Sequence, residues 1–181
     1  MAPRSSPFTG TTVLCVRREG KTAMACDGQV TLDRVVVKHT AKKVRSLAHG
    51  SVLAGFAGGA ADAFALLTRF EAKLEEHHGR FERACVELVR DWRTDRALRR
   101  LEAMLVVADA SRTFLLSGTG DLIESDDEIL GIGSGSAPAT AAARALVRHT
   151  PLDARTIATH ALRIASEIDL YTNDTITLEE I

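Results

Sequence analysis

Thr11-Thr12-Val13-Leu14-Cys15-Val16-Arg17-Arg18-Glu19-Gly20-Lys21-Thr22-Ala23-Met24-Ala25-Cys26-Asp27-Gly28 changes the character of the chain abruptly. Two β-branched and apolar runs, Thr12–Val16 and Thr22–Cys26, flank the polar turn Arg17–Gly20, which predicts an antiparallel hairpin. Upstream, residues 1–10 hold two prolines, two serines and a glycine without periodicity, and read as a disordered leader. Downstream, Lys43–Leu47 and Ser51–Phe56 form a second strand pair turning at His49-Gly50. Ala60, Ala63, Phe64, Leu67, Phe70 and Leu74 then recur at three- and four-residue steps, the mark of a helix that Gly79 ends. A second helix starts near Phe81, with Ala84, Cys85, Leu88 and Val89 inward. Leu105–Ala108 and Thr113–Leu116 turn at Asp109–Arg112, and Ile129–Ile132 leads into helices over about 136–149 and 153–169. Thr175–Leu178 closes the pattern as a last strand.

Strand pairs segregated from helix pairs predict an α+β fold with antiparallel sheets, two of them packed together with helices on each outer side. The chain has 181 residues and no internal repeat, which is one domain. With 45% hydrophobic and 26% charged residues it has globular composition and needs no disulfide or metal staple. Its 23 basic and 24 acidic side chains leave a net charge of -1, which gives no electrostatic case for a nucleic-acid partner. Aromatics at 4% argue against base-stacking platforms. No apolar run approaches the roughly 18 residues of a membrane span, and the N-terminus lacks a secretory apolar stretch. Three cysteines without C-x-x-C spacing fit a reducing compartment, so a cytoplasmic protein is expected.

Three features could carry chemistry. At Gly10-Thr11 the leader meets the first strand. A threonine hydroxyl is a weak nucleophile unless a base takes its proton, and a free α-amine on the same residue can do so. That nitrogen is an amide in the full-length chain; cutting after Gly10 would free it. Thr11 could equally be the first residue of an edge strand. Asp27 ends one strand and Lys43 opens another; paired, they would set a cation beside such an amine and lower its pKa, whereas unpaired they are ordinary surface charges. Gly55-Phe56-Ala57-Gly58-Gly59 runs from strand to helix, where backbone N–H groups could form an oxyanion hole or simply a tight turn.

Other signals carry less. Gly131-Ile132-Gly133 precedes a helix, but the third dinucleotide-fingerprint position is Ser136 and no parallel βαβ unit frames it. No G-x-x-x-x-G-K-S/T run is present, so no nucleotide is expected on this chain. His77 and His78 point to different faces of a helix and read as a solvated helix end. Arg90, Arg93, Arg96, Arg99 and Arg100, with Asp91 and Asp95, read as an ion-paired helix face or, given Trp92 and Leu98, a partner contact.

Taken in order, Thr11-Thr12-x-x-x-Val16-Arg17-Arg18, Asp27-Gly28-Gln29, Lys42-Lys43-Val44-Arg45, Ala54–Gly59, Asp91-Trp92-Arg93-Thr94-Asp95-Arg96 and Ile132–Gly135 resemble the HslV (ClpQ) family, proteolytic subunits related to proteasome β-subunits. The resemblance spans residues 11 to about 180. It implies an N-terminal-nucleophile hydrolase with a four-layer αββα sandwich, residues 1–10 being a pro-segment and 11–181 the peptidase domain. It implies a threonine endopeptidase in which Thr11 is the nucleophile, Lys43 lowers the pKa of its amine and Asp27 pairs with Lys43. Gly55 would supply the oxyanion N–H, and Ser134 would complete the site's hydrogen bonds. It also implies a sodium ion on backbone carbonyls of Ser166, Asp169 and Thr172. The assembly implied is a homo-oligomeric double ring of six with an HslU-type AAA+ ATPase hexamer that feeds it unfolded proteins. Cys26, Ser166 and Asp169 depart from commoner members. A non-catalytic scaffold subunit and an amidohydrolase of small amides are the alternatives on the same fold.

Overall fold

A computed structural model describes residues 8, 9, 11–96, 98, 101 and 103–181. It opens with β1 (Phe8–Thr9), followed by the hairpin β2 (Thr12–Arg18) and β3 (Lys21–Cys26), paired in register from Val13 opposite Cys26 to Arg18 opposite Lys21. The leader was expected to be without structure, yet Phe8–Thr9 pairs antiparallel with β4 (Val30–Leu32), Phe8 opposite Leu32. Residues 1–7 and Gly10 lie outside the described residues. β4 continues into β5 (Val35–Lys38) through a turn in which Asp33 takes a left-handed φ of 54°. Neither strand was expected from the sequence.

β6 (Val44–Leu47) and β7 (Val52–Gly58) form the second hairpin, and helices α1 (Ala60–Glu76) and α2 (Phe81–Thr94) follow. The α1–α2 corner turns at Gly79, whose φ is 75°. β8 (Ala103–Ala108) and β9 (Thr113–Ser117) pair as read, and β10 (Leu122–Glu124) adds an unanticipated edge. β11 (Ile129–Gly133), α3 (Ser136–His149), α4 (Ala154–Ser166) and β12 (Thr177–Glu180) complete the chain. α4 is shorter than expected and β12 begins two residues late. The Asp153 carboxylate caps α4 by accepting the Thr156 N–H at 2.7 Å.

Two antiparallel sheets carry the fold, one ordered β11-β2-β3-β12 and the other β10-β9-β8-β7-β6. Leu14, Val16, Ala23 and Ala25 point to α3 and α4, where they meet Ile157, Ala161 and Leu162. The alternate residues Val13, Cys15, Met24 and Cys26 point the other way, against Leu53, Val106 and Ala108 of the second sheet. The far side of that sheet packs Ala54, Leu105, Val107 and Leu116 on Phe70, Leu88 and Trp92 of α1 and α2. The layers therefore run α–β–β–α. Trp92 and Leu98, weighed above as partner contacts, are core; Arg69–Asp95 and Lys73–Asp91 ion pairs occupy the helix face beside them. Arg99 and Arg100 lie outside the described residues.

Arg17 pins the sheets together at the end of β2 remote from Thr11. Its buried guanidinium donates to Ser111 O at 2.5 Å, Thr113 Oγ1 at 2.8 Å and Thr22 Oγ1 at 3.2 Å. The opposite end is held by different chemistry.

Candidate active site

β2 begins one residue after Thr11, and Thr11 itself is almost fully buried at 9% exposure. Its carbonyl accepts the Ser134 N–H at 3.0 Å. That approach is so close that a Cβ on Gly133, φ 93°, would lie 1.7 Å from the Thr11 oxygen, and only glycine fits both the space and the dihedral.

Asp27, at the end of β3, is fully buried. Its Oδ1 accepts the Thr12 N–H and the Lys43 ammonium, both at 2.8 Å, and its Oδ2 accepts the Gln29 N–H at 2.8 Å. Lys43 stands just before β6, 2% exposed, and also donates to Gln29 O at 2.6 Å. Burial drives the Lys43 pKa below the ordinary lysine value, while the Asp27 charge and hydrogen bond pull it back up. Two charges sixteen residues apart are thus a desolvated ion pair attached to the residue that follows Thr11. An isolated charge so buried would be untenable; each here has a partner and further hydrogen bonds.

A second chain of groups lies on the other flank. Ser134 Oγ donates to Asp169 Oδ2 at 2.7 Å, and Thr172 Oγ1 donates to the same oxygen at 2.5 Å. Thr12 Oγ1 lies 2.7 Å from Thr172 Oγ1 and accepts the Gly135 N–H at 2.9 Å. Asp169, expected only for its carbonyl, enters through its carboxylate. Asn173 joins the flanks: it accepts the Gly28 N–H at 2.9 Å and donates from its own N–H to Asp27 Oδ2 at 3.4 Å.

The structure therefore brings Thr11, Asp27, Lys43, Ser134, Asp169 and Thr172 into one connected site. Ser166 is not in that network; its hydroxyl caps its own helix at Arg163 O, 2.7 Å away. Gly55 lies inside β7, between Val44 and Val106, rather than in the strand-to-helix turn, which falls at Gly58 and Gly59. A Cβ at Gly55 would meet Val13 Cγ1 at 2.6 Å and Met24 Sδ at 2.9 Å, so the closeness of the two sheets demands glycine there. Thr12, Gln29 and Asn173 were not singled out from the sequence. Gln29 and Thr12 sat inside quoted motifs, and the signal for them would have been burial of a polar side chain, which only the fold supplies. Cys26 is no nucleophile: burial pushes its thiol up to about 11. Among the described residues no group of three His, Cys, Asp or Glu side chains is placed to hold a metal; His78 at the end of α1 is exposed, whereas His77 is half-buried with its Nε2 shielded from solvent.

Residues 8–181 match the family described as Proteasome subunit. The chain belongs to the proteasome subunit family. Among its relatives in that family, the ATP-dependent protease subunit HslV of Anaeromyxobacter sp. (strain Fw109-5) is 59% identical over 179 residues, covering 97% of this chain and 99% of the relative. The subunit of the same name from Pseudothermotoga lettingae is 58% identical over 174 residues, covering 96% and 99%. Among solved structures, the eukaryotic HslV from Trypanosoma brucei superposes with a TM-score of 0.89 at 44% identity, covering 93% of this chain and 98% of that one. The likeness covers nearly the whole chain, so the αββα sandwich is the family fold.

Proposed function

We propose that this protein is the proteolytic subunit of an ATP-dependent protease, a threonine endopeptidase whose nucleophile is Thr11 after cleavage behind Gly10. The observation that carries this reading is the buried Asp27–Lys43 pair bonded to the Thr12 N–H, next to Thr11. Once Thr11 is N-terminal, its amine takes the hydroxyl proton as Oγ attacks the peptide carbonyl carbon. The amine then passes that proton to the leaving nitrogen as the C–N bond breaks, leaving an acyl ester on Thr11. Water, deprotonated by the same amine, hydrolyses the ester. The Lys43 cation lowers the amine pKa so that a neutral fraction exists near pH 7, and Asp27 fixes Lys43 in place. Ser134, bonded through its N–H to Thr11 O, orients the nucleophilic residue. We assign the oxyanion N–H to Gly55, whose strand packs so tightly on Val13 that a Cβ there would come within 2.6 Å of it.

Sodium on the carbonyls of Ser166, Asp169 and Thr172 belongs to the same proposal. The three residues occupy the end of α4 and the turn after it, where Ser166 and Thr172 line a pocket of about 480 Å³ together with Arg163, Glu167, Asn173 and Asp174; the backbone carbonyls the proposal uses are hard oxygen donors suited to such a cation. Its contribution there is to hold the turn that carries Asp169.

The named relatives are ATP-dependent protease subunits, and this chain has no phosphate-binding loop of its own. A hexameric HslU-type AAA+ ATPase that unfolds and feeds substrates, a double ring of six copies and a cytoplasmic location follow as parts of the proposal. Among the described residues no helix is long and apolar enough to cross a membrane.

Intact mass and N-terminal sequencing of wild type and Thr11→Ala, with peptidase assays of both, test the reading. Wild type beginning at Thr11 and active, with a Thr11→Ala protein that keeps residues 1–10 and is inert, is the expected result. An active Thr11→Ala protein would move the nucleophile elsewhere, and a wild type that keeps its leader and is inert would leave a scaffold subunit.

A further inference from the structure

Resting on the threonine-peptidase reading, we infer that Thr12 is a positioning residue for the reaction: its backbone holds one flank of the site, its hydroxyl holds the other, and it keeps both in register with Thr11. On one side the Thr12 N–H donates to Asp27 Oδ1 at 2.8 Å, and the Thr12 carbonyl accepts the Asp27 N–H at 3.2 Å. On the other side, the direction of the hydrogen bonds follows from the chemistry of the groups. A carboxylate only accepts, so Thr172 must commit its one hydroxyl proton to Asp169 Oδ2. Thr172 Oγ1 can then only accept from Thr12 Oγ1, 2.7 Å away, which makes the Thr12 hydroxyl a donor. The same Thr12 oxygen accepts from the Gly135 N–H at 2.9 Å. Proton donation therefore runs from Gly135 to Thr12, to Thr172 and to Asp169. Ser134 Oγ donates to the same Asp169 oxygen at 2.7 Å, while its N–H donates to Thr11 O.

The space is fitted to this arrangement. A Cβ on Gly135 would come within 2.6 Å of both Thr12 Oγ1 and Thr172 Oγ1. Thr12 is fully buried, so no bulk water stands ready to replace its hydroxyl. Valine at this position keeps the shape and the β-propensity while removing the donor, and leaves the Gly135 N–H without its acceptor. The turn Gly133–Gly135 then loses its side-chain tie to β2 and is held there only by the backbone, through the Ser134 N–H to Thr11 O bond and the pairing of Gly133 with Thr12.

Thr12→Val and Thr12→Ser, made in the full chain, test this by two readouts: the rate of leader removal followed by intact mass, and kcat and KM on a peptide substrate. We expect Thr12→Val to slow leader removal and lower kcat by about tenfold or more with KM within about twofold, and Thr12→Ser to restore both to within about threefold of wild type. Hydrogen exchange at the Gly135 amide accelerates in Thr12→Val and returns in Thr12→Ser, a signature that global loosening of the fold would not confine to this turn. Wild-type kcat in Thr12→Val overturns the inference. So does loss of activity in Thr12→Ser equal to that in Thr12→Val, or a melting transition in Thr12→Val so lowered that all amides exchange together. Wild type that neither cuts its leader nor turns over peptide sinks the threonine-peptidase reading, and this inference with it; active wild type beside an equally active Thr12→Val sinks this inference alone.

Discussion

Lys43 illustrates how a single side chain acquires meaning only from its surroundings. In the sequence it is one of 23 cations. In the fold it is 2% exposed, held by Asp27 and by the Gln29 carbonyl, and its ammonium is under desolvation. Replacing it leaves the Asp27 carboxylate buried with the N–H donors of Thr12, Gln29 and Asn173 but no countercharge, a change that costs about 3 kcal/mol. We expect Lys43→Ala to fold with a urea midpoint lowered accordingly and to lose peptidase activity by about a hundredfold or more. Comparable turnover at neutral pH would remove Lys43 from the mechanism, whatever its effect on stability. Asp169 carries the converse lesson. The resemblance valued only its carbonyl, because family members with other residues there keep the backbone; its carboxylate became visible once Ser134 and Thr172 were seen to share it.

Among elements, the sequence was most informative where burial and pattern agree. β2 and β3 could be read because their β-branched and apolar residues are core on both faces, and a polar turn separates them. α1 and α2 were legible from three- and four-residue spacing. β4 and β5 were not, for a physical reason: Leu32, Val35, Val36 and Val37 are apolar yet exposed, and the connecting Asp33 adopts a left-handed backbone without the glycine that would announce a turn. The sixteen-residue gap between Asp27 and Lys43 was equally silent, since it closes only when the end of β3 meets the start of β6. α4 links packing to chemistry, because its C-terminal end leads directly into the Asp169–Thr172 turn. Leu162 is wholly buried under it against the β2–β3 sheet. Leu162→Ala should lower stability by about 3 kcal/mol. Thermal unfolding checks the loss, and activity should fade several degrees below the new melting point as the turn loosens first.

The whole molecule exposes apolar surface that a lone copy has no use for. Val35 is 63% exposed, Val37 52% and Leu170 87%. β5 is moreover the outer strand of its small sheet, with only Lys38 to guard its edge. Light scattering after size exclusion should return a mass many times the 19.5 kDa of one chain. A purely monomeric profile at micromolar concentration would contradict the ring assembly proposed above.

Phe8 and Thr9 lie along β4 in the same small sheet. While they lie there, that side of β4 is taken, and no second peptide can zip onto it. A copy that keeps residues 8 and 9 in place thus has that edge of the small sheet already paired by its own chain. If the break falls behind Gly10, one event both creates the amine and loosens the tail's hold on the body. On that reading a single cut would change two things at once, the chemistry at Thr11 and the partner of an exposed sheet edge.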